Sequence, residues 1–304
     1  MKKRAILFIV IAGILWGTSG LFSHAFSQYG YTALQKTAVR GSVALICMLV
    51  FALIRHRGAF RIPLRSIPLY AGIGACLFGA AACYYAAMEF SSVATAVVLM
   101  YTSPIYVLIF SVLFFGEKLT PVKIVGIAGM LVGCCFVSGI FEGFSGNAIG
   151  ILLGLLAGVT YGGYSILAKI AMRRGGEAMS TTLYGFAGMA ILAICTCKPA
   201  AIIPNMMQNP ALLIPLSVAL GVVTYVFPFF LYTIGLRDLP AGTASALGIV
   251  EPMAATVFSI CLLDERLTVL SAIGILLILG CVLLLSRPEP EKKNEGKEET
   301  ASSH

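Results

Sequence analysis

The chain has 304 residues, of which 59% are hydrophobic and only 11% are charged, and its formal net charge is +8. Soluble globular proteins have about a quarter of their residues charged, so this composition excludes a water-soluble domain protein. A basic net charge suggests nucleic acid as a partner only in a soluble chain, and the distribution of the basic residues argues against that partner here.

A membrane-spanning helix needs about 20 predominantly apolar residues. Ten such runs fill almost the whole chain, and they lie at 5–27, 32–54, 67–88, 92–115, 121–139, 148–172, 179–197, 212–236, 241–263 and 268–286. The first run follows Lys2, Lys3 and Arg4 as a signal peptide would, but it is longer than a signal-peptide core, so we interpret it as a retained helix. The sequence therefore predicts an all-α integral membrane protein with ten transmembrane helices.

The basic residues predict the orientation of these helices. If the N-terminus is cytoplasmic, only Lys198 and Arg266 fall on the outer side and Lys36 and Arg40 within spans, whereas all the other lysines and arginines are cytoplasmic. This bias matches the positive-inside rule. We therefore expect a protein integral to the cell (cytoplasmic) membrane with both termini in the cytoplasm.

The two halves of the chain resemble each other. Phe115–Thr120 (FGEKLT) returns as Leu263–Thr268 (LDERLT), and Gly13–Gly17 (GILWG) returns as Gly158–Gly162 (GVTYG). We divide the chain into a first repeat at 1–140, a second at 147–286 and a disordered cytoplasmic tail at 287–304. Because five spans per repeat is an odd number, the second repeat enters the membrane from the opposite side, so the two five-helix repeats are predicted to be inverted.

Small residues and turns predict the packing. Thr120 and Thr268 are placed to cap the helices that follow them, and the acidic residue of each turn suits a helix start. Segment six carries glycines at every fourth position from Gly150 to Gly162. Such a stripe lets helix backbones approach closely in lipid, either as a static contact or as a seam that slides during transport.

Three charges are predicted to lie inside spans, namely Lys36, Arg40 and Glu251. Each costs about 2.5–3.5 kcal/mol near a helix centre, so each invites a functional interpretation. Lys36 and Arg40 share a helix face, and an anion opposite them could be Glu251 or a substrate carboxylate. A buried ion pair that only fixes packing is the alternative, and Lys36 is close enough to the interface to snorkel.

Aromatic and hydroxyl residues cluster at the middle of four spans. Proline at 104 and at 252 frees a backbone carbonyl one turn earlier, which adds polar groups at that depth. Together these groups suit a small amphipathic solute, although aromatic packing around tolerated kinks is the alternative. With Arg40 and Glu251, the candidates for substrate binding or coupling are Trp16, Thr18, Ser19, Tyr101, Ser103, Tyr161 and Tyr164, and the secondary ones are Lys36, Tyr84 and Tyr232.

The sequence gives little support for metal binding or catalysis. The nine cysteines lie in predicted spans at spacings that do not suit zinc, and we interpret them as small apolar residues. There is no catalytic motif of a metalloprotease or serine hydrolase and no Walker loop. We expect no catalytic residues, no metal and no cofactor.

The order, spacing and duplication of these motifs resemble the EamA-like branch of the drug/metabolite transporter superfamily. The residues that carry the resemblance are Trp16-Gly17, Arg40, Pro104, Gly116-Glu117-Lys118-Leu119, Glu251-Pro252 and Asp264-Glu265-Arg266-Leu267. The resemblance implies a ten-helix carrier of two repeats around a central cavity, often one that exports amino acids or related metabolites.

We therefore expect a secondary transporter that moves a small organic metabolite, with export as the expected direction, by alternating access. The expected partners are the lipid bilayer, a small-molecule substrate and a candidate coupling proton. A channel-like pore is the alternative, although it would need a continuous polar stripe or a ring of like charges. A non-transport intramembrane protein is a further alternative. The sequence leaves the cargo and the oligomeric state open.

Overall fold

The computed structural model describes residues 2–91, 93–142, 147–197, 200, 202–262 and 268–286. These residues are helical almost throughout and contain no β-strand, as predicted. The helices are α1 (Lys2–Gly17), α2 (Ser19–Ser27), α3 (Ala33–Arg55), α4 (Ile67–Phe90), α5 (Val93–Met100), α6 (Ser103–Phe115), α7 (Pro121–Val137), α8 (Ala148–Arg173), α9 (Ala178–Thr196), α10 (Ile202–Met207), α11 (Pro210–Gly221), α12 (Phe227–Asp238), α13 (Ala241–Leu247), α14 (Val250–Leu262) and α15 (Val269–Ser286). The predicted tail at 287–304 and the turn that contains Glu265 lie outside the described residues.

Eight helical segments of the described chain are long and apolar enough to cross a membrane. Two further apolar helices, at Pro121–Val137 and Val269–Leu285, are shorter and coincide with the fifth and tenth predicted spans. Helices satisfy their own backbone hydrogen bonds, which lipid cannot do for them. The prediction of an all-helical membrane protein is therefore confirmed, and the count of ten spans stays a prediction.

Four of the long segments are interrupted near their middle. The interruptions lie at Thr18 between α1 and α2, at Tyr101–Thr102 between α5 and α6, and at Gly248–Ile249 between α13 and α14. Between α11 and α12 the chain forms a π-helical turn at Val222–Val226. A proline follows three of the four breaks. A proline cannot donate the hydrogen bond that would continue the preceding turn, so it favours an interruption there.

Helix starts are capped as the sequence predicts. The Thr120 side chain accepts from the Lys123 amide at 3.4 Å, and the Thr268 side chain accepts from the Ser271 amide at 3.1 Å. The Glu117 carboxylate has a different role from the one expected. It accepts from the Ala241 amide at 3.0 Å, so it stabilises the start of α13 and joins two segments distant in sequence.

The packing of the helices is mediated by glycines. A Cβ atom at Gly158 would lie 2.9 Å from the Leu99 carbonyl oxygen, and one at Gly17 would lie 2.7 Å from the Ala254 Cβ. Such distances are tighter than van der Waals contact, so only glycine allows α8 to approach the α5–α6 break and α1 to approach α14. The packing interpretation of the glycine stripe is confirmed.

Helices distant in sequence pack against each other in the bundle. α1 packs against α12 and α14, while α8 packs against α4, α5 and α6. α3 packs against α9, and α7 packs against α15. Large apolar side chains on the outside of the bundle, such as Ile54 at 72% exposure and Leu276 at 70%, mark the surface that faces lipid.

Arginines collect at one end of the bundle. α3, α8 and α12 end where α9 begins, and the chain there carries Arg55, Arg57, Arg61, Arg65, Arg173, Arg174 and Arg237. The Ser180 hydroxyl donates to the Ala59 carbonyl at 3.0 Å, which ties the α3–α4 connection to α9. We call this the basic end.

Candidate central binding site

A cavity of about 110 Å³ lies where the four interrupted segments meet. Charged, aromatic and small apolar side chains share its wall. They are Trp16, Ser19, Arg40, Leu77, Ala80, Ala81, Tyr84, Tyr85, Met100, Tyr161, Thr224, Tyr225, Phe229 and Glu251. Eight helices and the π-helical turn thus contribute to one wall, which brings one cation and one anion to the same space.

The Arg40 guanidinium is held by aromatic rings. Its Cζ atom lies 5.3 Å from the centre of the Tyr85 ring and 4.8 Å from that of Tyr225. Cation–π contacts in a desolvated site are worth about 2 kcal/mol, so the two rings offset part of the cost of burying this charge. The Arg40 Nε has no hydrogen-bond partner.

Glu251 faces the same cavity from the first turn of α14. The break at Gly248–Ile249 creates this helix start inside the bundle, where the positive end of the helix dipole favours a carboxylate. The Tyr101 hydroxyl lies beside the Glu251 carboxyl group, close enough to interact with it, but without the geometry of a regular hydrogen bond.

Arg40 and Glu251 do not form a direct ion pair. No nitrogen of Arg40 lies within 4.0 Å of a carboxylate oxygen of Glu251. Arg40 and Glu251 are near enough to attract each other across the cavity. The sequence left open whether the anion opposite Arg40 is Glu251 or a substrate carboxylate. In this structure the Glu251 side chain is not in contact with Arg40.

Trp16 is the centre of an aromatic cluster at the wall of the cavity. Its ring centre lies 4.9 Å from that of Phe229, 5.5 Å from that of Tyr232 and 6.3 Å from that of Tyr161. Its indole Nε1 is buried without a hydrogen-bond partner. Unpartnered buried donors cost about 1–3 kcal/mol each, so they identify groups suited to a bound polar molecule.

Hydrogen bonds between α8 and α12 join the bundle on the basic side of this cluster. The hydroxyls of Tyr164 and Thr233 lie 2.7 Å apart, and those of Ser165 and Tyr232 lie 2.8 Å apart. The Lys169 Nζ donates to the Leu239 carbonyl at 2.6 Å and also to the Leu236 carbonyl. Lys169 thus caps the end of α12 from the neighbouring helix.

The candidate residues from the sequence fall into two groups. Those that line the cavity are Trp16, Ser19, Arg40, Tyr84, Tyr161 and Glu251. Those that do not are Thr18, Lys36, Tyr101, Ser103, Tyr164 and Tyr232. A functional role for any of them stays a prediction.

Most members of the second group have local partners. The Thr18 hydroxyl donates to the Leu15 carbonyl at 2.7 Å, and the Lys36 Nζ lies 3.1 Å from the Ser23 hydroxyl and 2.5 Å from that of Ser27. Ser103 is fully buried beneath the break between α5 and α6, and its hydroxyl has no partner. Lys36 therefore contacts α2 instead of sharing the cavity with Arg40.

Sequence reasoning missed Tyr85, Tyr225 and Phe229. The last two lie at or beside the π-helical turn that precedes Pro228. The argument that singled out Pro104 and Pro252 applies equally to Pro228, because each proline leaves the preceding turn short of a donor. That argument, applied to this third proline, could have found the turn.

No group of three metal-binding side chains occurs within the described part of the chain. The donors around the cavity are one guanidinium, one carboxylate, hydroxyls and an indole. This set can bind a small solute with opposite charges, and it offers too few anionic ligands for a metal ion.

Comparison with known proteins gives consistent results. The chain is 28% identical over 280 residues to an uncharacterized transporter of Archaeoglobus fulgidus, covering 92% of this chain and 95% of that protein. It is 26% identical over 295 residues to the uncharacterized transporter YwfM of Bacillus subtilis, covering 95% and 96%. One solved crystal structure shares the fold, with a TM-score of 0.75 and 20% identity over 93% of this chain and 96% of the other.

The sequence model of one family matches this chain twice, at residues 3–139 and at residues 148–287. The two matches together cover almost all of the helical bundle. As the resemblance of its motifs suggested, the chain belongs to the EamA-like transporter family.

Proposed function

We propose that this membrane transporter carries a small zwitterionic metabolite, an amino acid or a related compound, by alternating access. The observation that carries the proposal is the pair of opposite charges, Arg40 and Glu251, that line one cavity without touching each other. Arg40 suits a carboxylate of the solute and Glu251 suits its ammonium group. The cavity is smaller than the roughly 300–1,000 Å³ of sites for drug-sized ligands, which favours a small cargo.

The helix partners support a bundle of ten spans in two inverted repeats. If each helix is replaced by its counterpart in the other repeat, the packing of α1 on α12 becomes the packing of α8 on α4. The same exchange would turn the contact of α1 with α14 into that of α8 with α5 and α6, and it would leave α7 against α15. A scaffold with this exchange symmetry has two nearly equivalent packings, which is the physical basis of alternating access.

The hydrogen bonds between α8 and α12 support an outward-facing state. Lys169, Tyr164 and Ser165 hold α8 against α12 on the basic side of the cavity. By the positive-inside rule this side is cytoplasmic, with both chain termini there, and the membrane is the cytoplasmic membrane. Transport then requires these bonds to break while α1 and α2 close on α4 at the opposite end.

Glu251 offers a route to proton coupling. A carboxylate that binds either a proton or the ammonium group of the cargo exchanges one for the other. In an outward-facing state, proton binding from outside would release the cargo, and this exchange favours export. The proposal predicts that an imposed proton gradient drives the cargo in the opposite direction to the proton.

The test is efflux from proteoliposomes loaded with a cell metabolite extract, with released solutes identified by mass spectrometry. Vesicles without protein are the control. Selective release of amino acids or related zwitterions, increased by an inward proton gradient, is the expected result. Release of every small solute alike would indicate a pore, and no selective release with or without the gradient from folded protein would contradict the proposal.

A further inference from the structure

A second and larger cavity, of about 640 Å³, lies at the basic end among the ends of α3, α8, α9 and α12. It shares no residue with the central cavity. Its wall is formed by Phe51, Arg55, His56, Met172, Gly175, Gly176, Glu177, Ala178, Met179, Phe230, Ile234 and Arg237. The central site therefore does not account for this space.

The wall of this cavity changes from apolar to cationic along two helices. On α12, Phe230, Ile234 and Arg237 follow one another at helical spacing and so share a face, over about 10 Å at 1.5 Å per residue. On α3, Phe51 and Arg55 repeat this order one turn apart. Both helices therefore present aromatic or aliphatic side chains deeper in the bundle and a guanidinium at its end.

The two guanidiniums at the rim are available for an anion. Arg55 and Arg237 are exposed, and neither forms an ion pair with another described residue. The carboxylate in the wall is already engaged, because Glu177 Oε2 lies 2.5 Å from His56 Nε2. The rim thus combines two unpaired cations with an acidic side chain that has its own partner.

The cavity is continuous with the surface that faces lipid. Phe51 is 49% exposed, and its neighbours Leu53 and Ile54 on α3 are 52% and 72% exposed. Because Phe51 both lines the cavity and is exposed beside these apolar neighbours, an acyl chain in the bilayer can reach the wall there. A free phosphate ion would meet the same arginines but would have no use for the apolar walls beneath them.

We propose that this cavity binds one anionic phospholipid of the cytoplasmic leaflet. Its phosphate lies between Arg55 and Arg237, and one acyl chain lies along Phe51, Phe230 and Ile234. Basic pockets between transmembrane helices bind anionic lipid headgroups for this electrostatic reason. The placement in the cytoplasmic leaflet rests on the proposed topology, but the binding itself does not depend on transport.

Bound lipid would also affect the contact between α8 and α12, a consequence that rests on the proposed function. α12 carries the lipid-binding residues Phe230 and Ile234 on one face, while Tyr232 and Thr233 bond to α8. A lipid bound against α12 restrains this helix in the position where its hydrogen bonds to α8 are formed. Bound anionic lipid therefore stabilises the state that is closed at the basic end.

The test is native mass spectrometry of the purified full-length protein with phosphatidylglycerol or with phosphatidylcholine of identical acyl chains. We expect one phosphatidylglycerol to be retained and phosphatidylcholine to dissociate, with no displacement by inorganic phosphate. Each arginine near a headgroup contributes about 1 kcal/mol, so the double variant R55Q/R237Q should bind phosphatidylglycerol roughly 30-fold more weakly.

The matched control is R61Q/R174Q, which removes the same charge from a smaller cavity on the other side of the Gly175–Glu177 loop. It should retain the lipid as the unchanged protein does. Equal retention of both lipids, equal loss in the control, or undiminished binding in R55Q/R237Q would each overturn the proposal. Because size-exclusion profiles report folding and no outcome depends on transport, failure here is distinguishable from failure of the transport proposal.

Discussion

The contact between α8 and α12 and the region between α1, α2 and α4 occupy matching positions in the repeated sequence. If Gly13 and Gly17 are aligned with Gly158 and Gly162, Ser19 matches Tyr164 and His24 matches Lys169. In the first region hydroxyls and an ammonium group hold the helices together. In the second, no hydrogen bond between α1 or α2 and α4 occurs in the described part of the chain, and the central cavity lies there instead.

Residues at matching positions of the two halves of the sequence thus have different surroundings in the structure. Tyr84 and Tyr232 match in the repeat, yet Tyr84 lines the cavity and Tyr232 bonds to Ser165. Glu251 is matched by Ser103, which is buried and does not line the cavity. Four pairs of substitutions test these differences.

Arg40→Ala has the largest expected effect, because it removes the cation that we assign to the cargo carboxylate. A hydrogen bond to a charged group is worth about 1.5–3 kcal/mol, so affinity should fall roughly 10- to 100-fold. The measurement is binding of the cargo identified by the efflux experiment. Arg40→Lys keeps the charge but loses the planar stacking on Tyr85 and Tyr225 and should retain part of the affinity. Unchanged affinity in a folded Arg40→Ala protein would leave Arg40 with a role in packing alone.

Glu251→Gln should abolish the response of transport to a proton gradient, because an amide cannot take up the proton. The measurement is cargo flux in proteoliposomes across a series of imposed pH gradients. Glu89→Gln is the matched control, since Glu89 is exposed near the end of α4 and does not line the cavity. A gradient response that survives in Glu251→Gln would eliminate Glu251 as the coupling group.

Lys169→Met should weaken the contact between α8 and α12. The substitution leaves the carbonyls at the end of α12 without their cap, at a cost of about 1–3 kcal/mol. Hydrogen exchange of the amides at Leu236–Leu239 should become roughly tenfold faster, while Lys118→Met, on an exposed side chain, should leave it unchanged. Equal exchange rates in both variants would show that Lys169 does not hold α12.

Gly158→Ala and Gly20→Ala give the smallest expected effect and compare a closely packed glycine with one in open space. A Cβ at Gly158 would lie 2.9 Å from the Leu99 carbonyl, whereas none of the neighbouring atoms lies within 4 Å of a Cβ at Gly20. Overpacking costs about 1–3 kcal/mol, so the first variant should melt a few degrees lower and the second should not. Equal melting temperatures would contradict the assignment of close packing at Gly158.

The sequence alone determined which parts of the chain are helical and apolar. Each predicted span agrees closely with a helix or a pair of helices, because a segment in lipid must satisfy its own backbone and needs a fixed length to cross. The caps at Thr120 and Thr268 were equally predictable, since a cap depends on residues within one turn. Arg40, Glu251 and Trp16 could be singled out because charge and tryptophan at mid-depth are costly or unusual.

The crossing of the helices fixes which of these side chains meet. Lys36 and Arg40 lie one turn apart on α3, yet Lys36 bonds to serines of α2 and Arg40 stacks on Tyr85 and Tyr225. The partner of a buried side chain is set by how helices distant in sequence cross, and no local pattern contains that crossing. The same reason explains why Glu117 caps α13, 124 residues away, although its own turn suggested a nearby helix.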